Sequence, residues 1–118
     1  MKQSTVVLNA DFVDLLGGSL ATALVLSLAV ECQLANLDAR GRPMWWAKTS
    51  EEWTAETCLG RRALGGARRR LEAYPWWARS DRDNVARYRV DLSALAARVE
   101  RMKRRRAERQ GEVQACAV

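Results

Sequence analysis

Arginine is the residue whose placement in this sequence could do chemistry. Between Leu59 and Trp77 the chain reads LGRRALGGARRRLEAYPWW, which sets Arg61, Arg62, Arg68, Arg69 and Arg70 within ten residues of one another. A guanidinium is permanently charged and presents a planar fork of donors, so such a cluster suits the recognition of phosphate or carboxylate and not proton transfer. A second cluster, KRRRAER, carries Arg104, Arg105 and Arg106. It reads either as a solvated helix end or as a non-specific phosphate contact.

The net charge of +6 is unevenly spread. Residues 1–58 carry four basic and seven acidic side chains, a balance of −3; residues 59–118 carry sixteen basic and seven acidic, a balance of +9. The basic half therefore points to an anionic partner. Catalysis finds little support. With no histidine anywhere, the commonest general base and metal ligand are missing. No glycine-rich phosphate loop and no paired nucleophile stand in for them, so no enzymatic activity, no cofactor and no metal is expected. Glu51, Glu52 and Glu56 share one short helix, but their pattern is that of an acidic first turn favoured by the helix dipole. Cys32, Cys58 and Cys116 are far apart and form no CxxC pair, which predicts a reducing compartment without disulfide or zinc site. Cys32 is expected to be buried and Cys116 to be an incidental exposed thiol.

The elements that position these residues follow from periodicity. A chain of 118 residues with 48% hydrophobic and 29% charged side chains is one globular domain. TVVL is an extended lead-in, and Asn9 caps a brief helix carrying Phe12, Val13, Leu15 and Leu16 that Gly17 and Gly18 terminate. From Ser19 to about Leu37 the residues are Leu, Ala and Val with hardly a charge, the composition of a helix buried on most of its circumference. Its apolar core, Leu20 to Val30, is shorter than the roughly 20 residues a membrane span needs and runs straight into ECQ. The start MKQSTVVLNADF has no apolar h-region, so neither a membrane nor a secretion signal is expected, and the expected location is the cytoplasm.

NLDARGRP supplies turn formers, and MWWAK (44–48) reads as a short strand. Thr49 with Glu52 three residues on is a capping box, so a helix starts at Ser50 and runs to about Thr57. The next helix, Arg61 to Tyr74, sets Leu64, Ala67, Leu71 and Tyr74 on one stripe; opposite lie Arg62, Gly65, Gly66 and Arg69, flanked by Arg61 and Arg68. WWARS and VARYRV are two strands joined by a polar turn, with Ala86, Tyr88 and Val90 on an apolar face and Val85, Arg87 and Arg89 on a basic one. Asp91 caps a last helix whose stripe of Leu92, Leu95, Val99 and Met102 also offers a seam for a homodimer. The five tryptophans pack the sheet on the helices, with period-2 alternation leaving an outward ring at Trp46 or Trp76.

This order is that of a mainly α winged helix-turn-helix with a small three-stranded sheet. The domain is expected over residues 1–109, with the helix-turn-helix at about 50–74, the wing at about 76–90, the C-terminal helix at about 92–109 and a disordered tail at 110–118. The run WWAKTSEEWTAETCLGRRALGGARRRLEAYPWWA…NVARYRVDLSAL, with VVLNADFVDLLGGSLATALVLSLAV upstream, resembles the N-terminal winged-helix domain of phage and mobile-element replication-initiation (replisome organiser) proteins. That resemblance covers roughly residues 5 to 95. It implies binding of double-stranded DNA for replication or transcription control, with Arg61, Arg62, Arg68 and Arg69 in the groove or on phosphates and Arg82, Arg87 and Arg89 on the wing. Arg104 and Arg105 add charge from the last helix. Such small proteins are also used as inhibitors of host machinery, anti-CRISPR proteins included, so a host protein or nucleoprotein complex is the alternative partner.

Gly65 and Gly66 are the unusual feature, because each costs roughly 1 kcal/mol against alanine in a helix. Three explanations stand side by side. The bare backbone lets the helix lie close to phosphates, or the flat patch seats against another protein, or the glycines are tolerated and do nothing.

Overall fold

The apolar run after Ser19 becomes the spine of the molecule. The computed structural model describes residues 8–116, with side chains to Gly111. The extended reading of TVVL falls largely outside the described residues. α1 (Ala10–Leu15) is capped by the Asn9 side chain, which accepts from the Asp11 amide, and is closed by Gly17 and Gly18 at φ 70° and 88°. α2 (Leu20–Leu34) starts at Ser19, whose hydroxyl accepts from the Thr22 amide. Thr22, Ala23 and the unbroken run from Val25 to Ala29 are buried, as an almost chargeless helix must be.

The remaining elements are β1 (Trp46–Ala47), α3 (Ser50–Thr57), α4 (Arg61–Leu71), β2 (Trp77–Arg82), β3 (Val85–Val90) and α5 (Leu92–Cys116). The three strands form one antiparallel sheet in the order β1-β3-β2, with Trp46 opposite Tyr88 and Trp77 opposite Val90. The molecule is thus mainly helical with a small three-stranded sheet. No helix among the described residues is long and apolar enough to cross a membrane.

The capping box forms with both bonds. Thr49 Oγ1 accepts from the Glu52 amide and Glu52 returns a bond to the Thr49 amide, which holds the Glu52 carboxyl below its ordinary value. Glu56, taken with the acidic first turn, instead stands at the other end of α3 and pairs with the buried Lys48. The hairpin turn is only Asp83 and Asn84, both at positive φ (53° and 63°), the signature of a type I′ turn whose twist matches its strands. Asp81 and Arg82, expected in the turn, are therefore strand residues.

Two helices end three residues before their expected limits. α4 stops at Leu71, and Tyr74 accordingly leaves the helix and stacks on Trp76 at 4.8 Å. α2 stops at Leu34, not near Leu37, because Gln33 and Asn36 take backbone groups for their side chains. Asn36 Nδ2 donates to the Cys32 carbonyl at 2.7 Å, and Gln33 Nε2 donates to the Asn36 carbonyl at 3.0 Å.

Gln33 is fully buried and uses its whole side-chain amide. Nε2 also donates to the Met44 carbonyl at 2.9 Å; Oε1 accepts from Trp46 Nε1 at 2.9 Å and from the Val90 amide at 2.7 Å. The amide thus bridges the Met44 carbonyl, just before β1, and the Val90 amide at the end of β3. Around it, Tyr88 is the hub of an aromatic cluster, with ring centroids of Trp46, Trp53 and Trp77 at 5.2, 5.5 and 5.7 Å.

α5 begins with the Asp91 side chain accepting from the Ala94 amide, and its Leu95 and Val99 are buried in the core of their own chain, packed with α1 and α2. Of the stripe read as a homodimer seam, Leu95 and Val99 are thus buried within the chain, while Leu92 and Met102 are half-buried beside them. The helix continues to Cys116, past the point at Gln110 where loss of the stripe suggested a disordered tail. Glutamate, glutamine, arginine and alanine, all strong helix formers, make up most of residues 104–115. The Cys116 side chain lies outside the described residues.

Replacing Gln33 by leucine keeps the volume but strands two carbonyls, an indole N–H and an amide in the core. Each buried orphan costs about 1–3 kcal/mol, so Gln33→Leu is expected to lower stability by at least about 3 kcal/mol in urea unfolding.

Candidate nucleic-acid interface

α4 is a helix that its own sequence supports poorly. Gly60 offers no side chain to the first turn, and no side-chain cap bond forms there. Arg61 and Arg62 sit at the end where the helix dipole is already positive, each unfavourable by about 0.3–1 kcal/mol. Gly65 and Gly66 cost roughly 1 kcal/mol apiece. What holds it is the other face: Leu64, Ala67 and Leu71 are buried against the core, and each leucine contributes about 1.5–3 kcal/mol. Packing therefore outweighs the local defects. Cys58 makes the turn from α3 at φ 59°, a left-handed conformation that a glycine would adopt without strain.

Arg61, Arg62 and Arg69 are exposed on the outer face of α4, and Arg69 Nε reaches the Gly65 carbonyl at 3.4 Å. Gly65 and Gly66 are half-buried between them. A Cβ built on either glycine would meet nothing within 4 Å, so the interior of the protein does not require them. Arg68 is turned away from this face. It is half-buried, its Nη1 donates to the Tyr88 hydroxyl at 3.2 Å, and its guanidinium thereby ties α4 to the sheet.

The hairpin arginines do not join the α4 surface. Tyr88 and Val90 face the helices, so Val85, Arg87 and Arg89 of β3 project from the opposite, open face of the sheet together with Ala78, Ser80 and Arg82 of β2. Trp45 belongs to this face. It is 39% exposed, with the Arg89 guanidinium 4.6 Å from its ring centroid, whereas Trp46 and Trp76, from which the outward ring was expected, are 6% and 3% exposed. Trp46 is drawn inward by its bond to Gln33; Trp76 precedes β2, so strand alternation does not apply to it. Trp45 was the residue that sequence alternation missed, and the register of the two-residue β1 is what identifies it.

On α5, Arg104 is exposed and Arg105 lines a groove against α1 with Arg98, Arg109, Asp14 and Leu15. Arg106 is not free for phosphate: it pairs with Asp14 and Asp11, and Lys103 reaches Asp11 at 3.3 Å. Arg79 is likewise neutralised by Glu72 at 3.3 Å and Asp81 at 3.4 Å. By contrast, Arg61, Arg62, Arg69, Arg82, Arg87, Arg89, Arg104 and Arg105 have no carboxylate partner within 4.0 Å among the described residues.

Cys32 is half-buried, not enclosed as expected, and burial pushes its thiol up despite the neighbouring Lys48 ammonium. Cys58 is exposed, and both thiols are free. No group of three or more His, Cys, Asp or Glu side chains that could hold a metal ion occurs among the described residues. The class these features define is a mainly helical domain with a small antiparallel sheet and two separate arginine-rich faces. No protein-family model, curated protein or solved structure matches the chain.

Because space is open at both positions, Gly65→Ala and Gly66→Ala are each expected to stabilise the protein by about 0.5–1 kcal/mol. Thermal unfolding followed by circular dichroism would register this as a rise of a few degrees in Tm, and a fall would mean that the glycine backbone serves the fold.

Proposed function

We propose that this protein is a winged helix-turn-helix module that binds double-stranded DNA with α4 as its recognition helix, a protein of a phage or mobile element acting in replication or transcription control. The element order α2-β1-α3-α4-β2-β3 and the strand order β1-β3-β2 support this reading, as does the resemblance to replisome-organiser domains. The observation that carries it is the state of α4: a helix built against its local rules, whose exposed arginines are left without carboxylates.

In this reading α3 crosses the DNA backbone and α4 enters the major groove N-terminus first. Arg61 and Arg62 then add their charges to the positive end of the helix dipole, where a phosphate is favoured. The defects that cost stability in the free protein become useful against an anion. With no side chains at positions 65 and 66, the backbone can come closer to the sugar-phosphate chain than an ordinary helix allows, and Arg69 continues the contact one turn on. Affinity in such an interface comes mainly from charge, and one or two guanidiniums at most read guanine edges.

Titration of mixed-sequence duplex DNA at rising salt tests this directly, since each phosphate contact contributes close to one unit to the slope of log K against log salt. The double change Arg62→Ala with Arg69→Ala is expected to weaken duplex binding at least tenfold and to reduce that slope by about two, with the fold intact because both residues are exposed. A folded double variant that binds like the wild type would remove α4 from the interface. If the wild type binds no duplex even at low salt, the reading fails and the α4 face is left to a protein partner. Gly65→Ala adds a second readout: its gain in stability should be accompanied by weaker duplex binding.

A further inference from the structure

The open face of the sheet carries a second arrangement that duplex binding by α4 does not use. The register puts Trp45 and Ala47 beside Arg87 and Arg89 of β3, and Ala78, Ser80 and Arg82 of β2 on their other side. No carboxylate stands among these residues. Trp45, Ser80, Arg82 and Arg87 enclose a hollow of ≈ 210 Å³, with the indole as one wall, a small hydroxyl and two guanidiniums as the rest. The Arg89 guanidinium lies over one face of the Trp45 ring, 4.6 Å from its centroid.

We infer that this face binds an unpaired nucleic-acid strand, one base stacking on the Trp45–Arg89 layer while Arg87 and Arg82 hold its flanking phosphates. The chemistry selects a single strand over a duplex. A base in a duplex has both faces covered by its neighbours, so an exposed indole meets only sugar and phosphate there. An unpaired base offers a free π-face to an aromatic ring and to a stacked guanidinium. The charge is complementary as well: three guanidiniums without a carboxylate suit a polyanion. Small residues complete the fit, since Ala47, Ala78 and Ser80 keep the floor of the face low between the tall side chains. The bonds involved are non-covalent throughout, and recognition is expected to be sequence-tolerant, because every base has a face to stack.

This surface lies on the side of the sheet turned away from the helices, so its test is separable from that of α4. Fluorescence anisotropy with labelled oligothymidylate and oligouridylate, which do not pair with themselves, should give salt-dependent binding to the full-length wild type; the tighter of the two identifies DNA or RNA as the strand. Trp45→Ala is expected to weaken it about tenfold, and Trp45→Phe to restore most of the loss. Ser80→Glu, which sets a carboxylate in the hollow and leaves the aromatic layer in place, should weaken it as much and guards against misfolding of the tryptophan variant. An abasic strand of the same length should bind the wild type as weakly as oligothymidylate binds Trp45→Ala. The pair Arg62→Ala with Arg69→Ala should leave single-strand binding unchanged, whatever it does to duplex binding. The inference is overturned if neither homopolymer binds at low salt, if Trp45→Ala and Ser80→Glu bind like the wild type, or if the abasic strand binds as tightly as oligothymidylate.

Discussion

One buried amide holds the two halves of this fold together. Gln33 sits near the end of an otherwise apolar helix, and its side chain satisfies the Met44 and Asn36 carbonyls, the Trp46 indole and the Val90 amide at once. A polar group in a core is costly unless every donor and acceptor is matched, and here all are. The same amide decides where α2 stops, why Trp46 points inward and how a two-residue strand stays registered on β3. The aromatic cluster around Tyr88 packs on that register, and Trp45 faces outward because Trp46 faces inward.

The consequence extends to α4. Its buried leucines are held in the core, against α2 above all, so its exposed side is free to be chosen for something other than helix stability. An uncapped N-terminus, two leading arginines and two central glycines would together make an isolated helix of this length marginal. Within the protein they are tolerated, because packing energy acts on the opposite face. Conflict between local preference and global fold is here concentrated on one solvent-facing surface, the one to which the DNA contact is proposed.

Charge is sorted in the same way. Lys48, Arg79, Lys103 and Arg106 are paired with carboxylates and tie elements together, Lys48 within the sheet-to-α3 connection and Arg106 between α5 and α1. The remaining arginines of α4 and the open sheet face stand apart from any acid among the described residues. Their like charges repel at short range, a cost that a polyanion reverses. Two such faces on opposite sides of one small sheet give the protein two surfaces and not one continuous patch.

Local rules in the sequence were enough for much of this. The Asn9 cap, the start of α2 at Ser19, the Thr49–Glu52 box, the Leu64–Ala67–Leu71 stripe and the alternation of β3 each depend on residues within one or two turns, so periodicity and capping chemistry reveal them. Tertiary structure alone decided what Gln33 bonds, since its partner Val90 is 57 residues away. It also decided that Arg106 is spent on Asp14, 92 residues distant, and that Arg68 serves Tyr88. The exposure of Trp45 in place of Trp46 has the same origin. A two-residue strand has too short a period for alternation to be read, and only its pairing with β3 fixes which ring meets solvent.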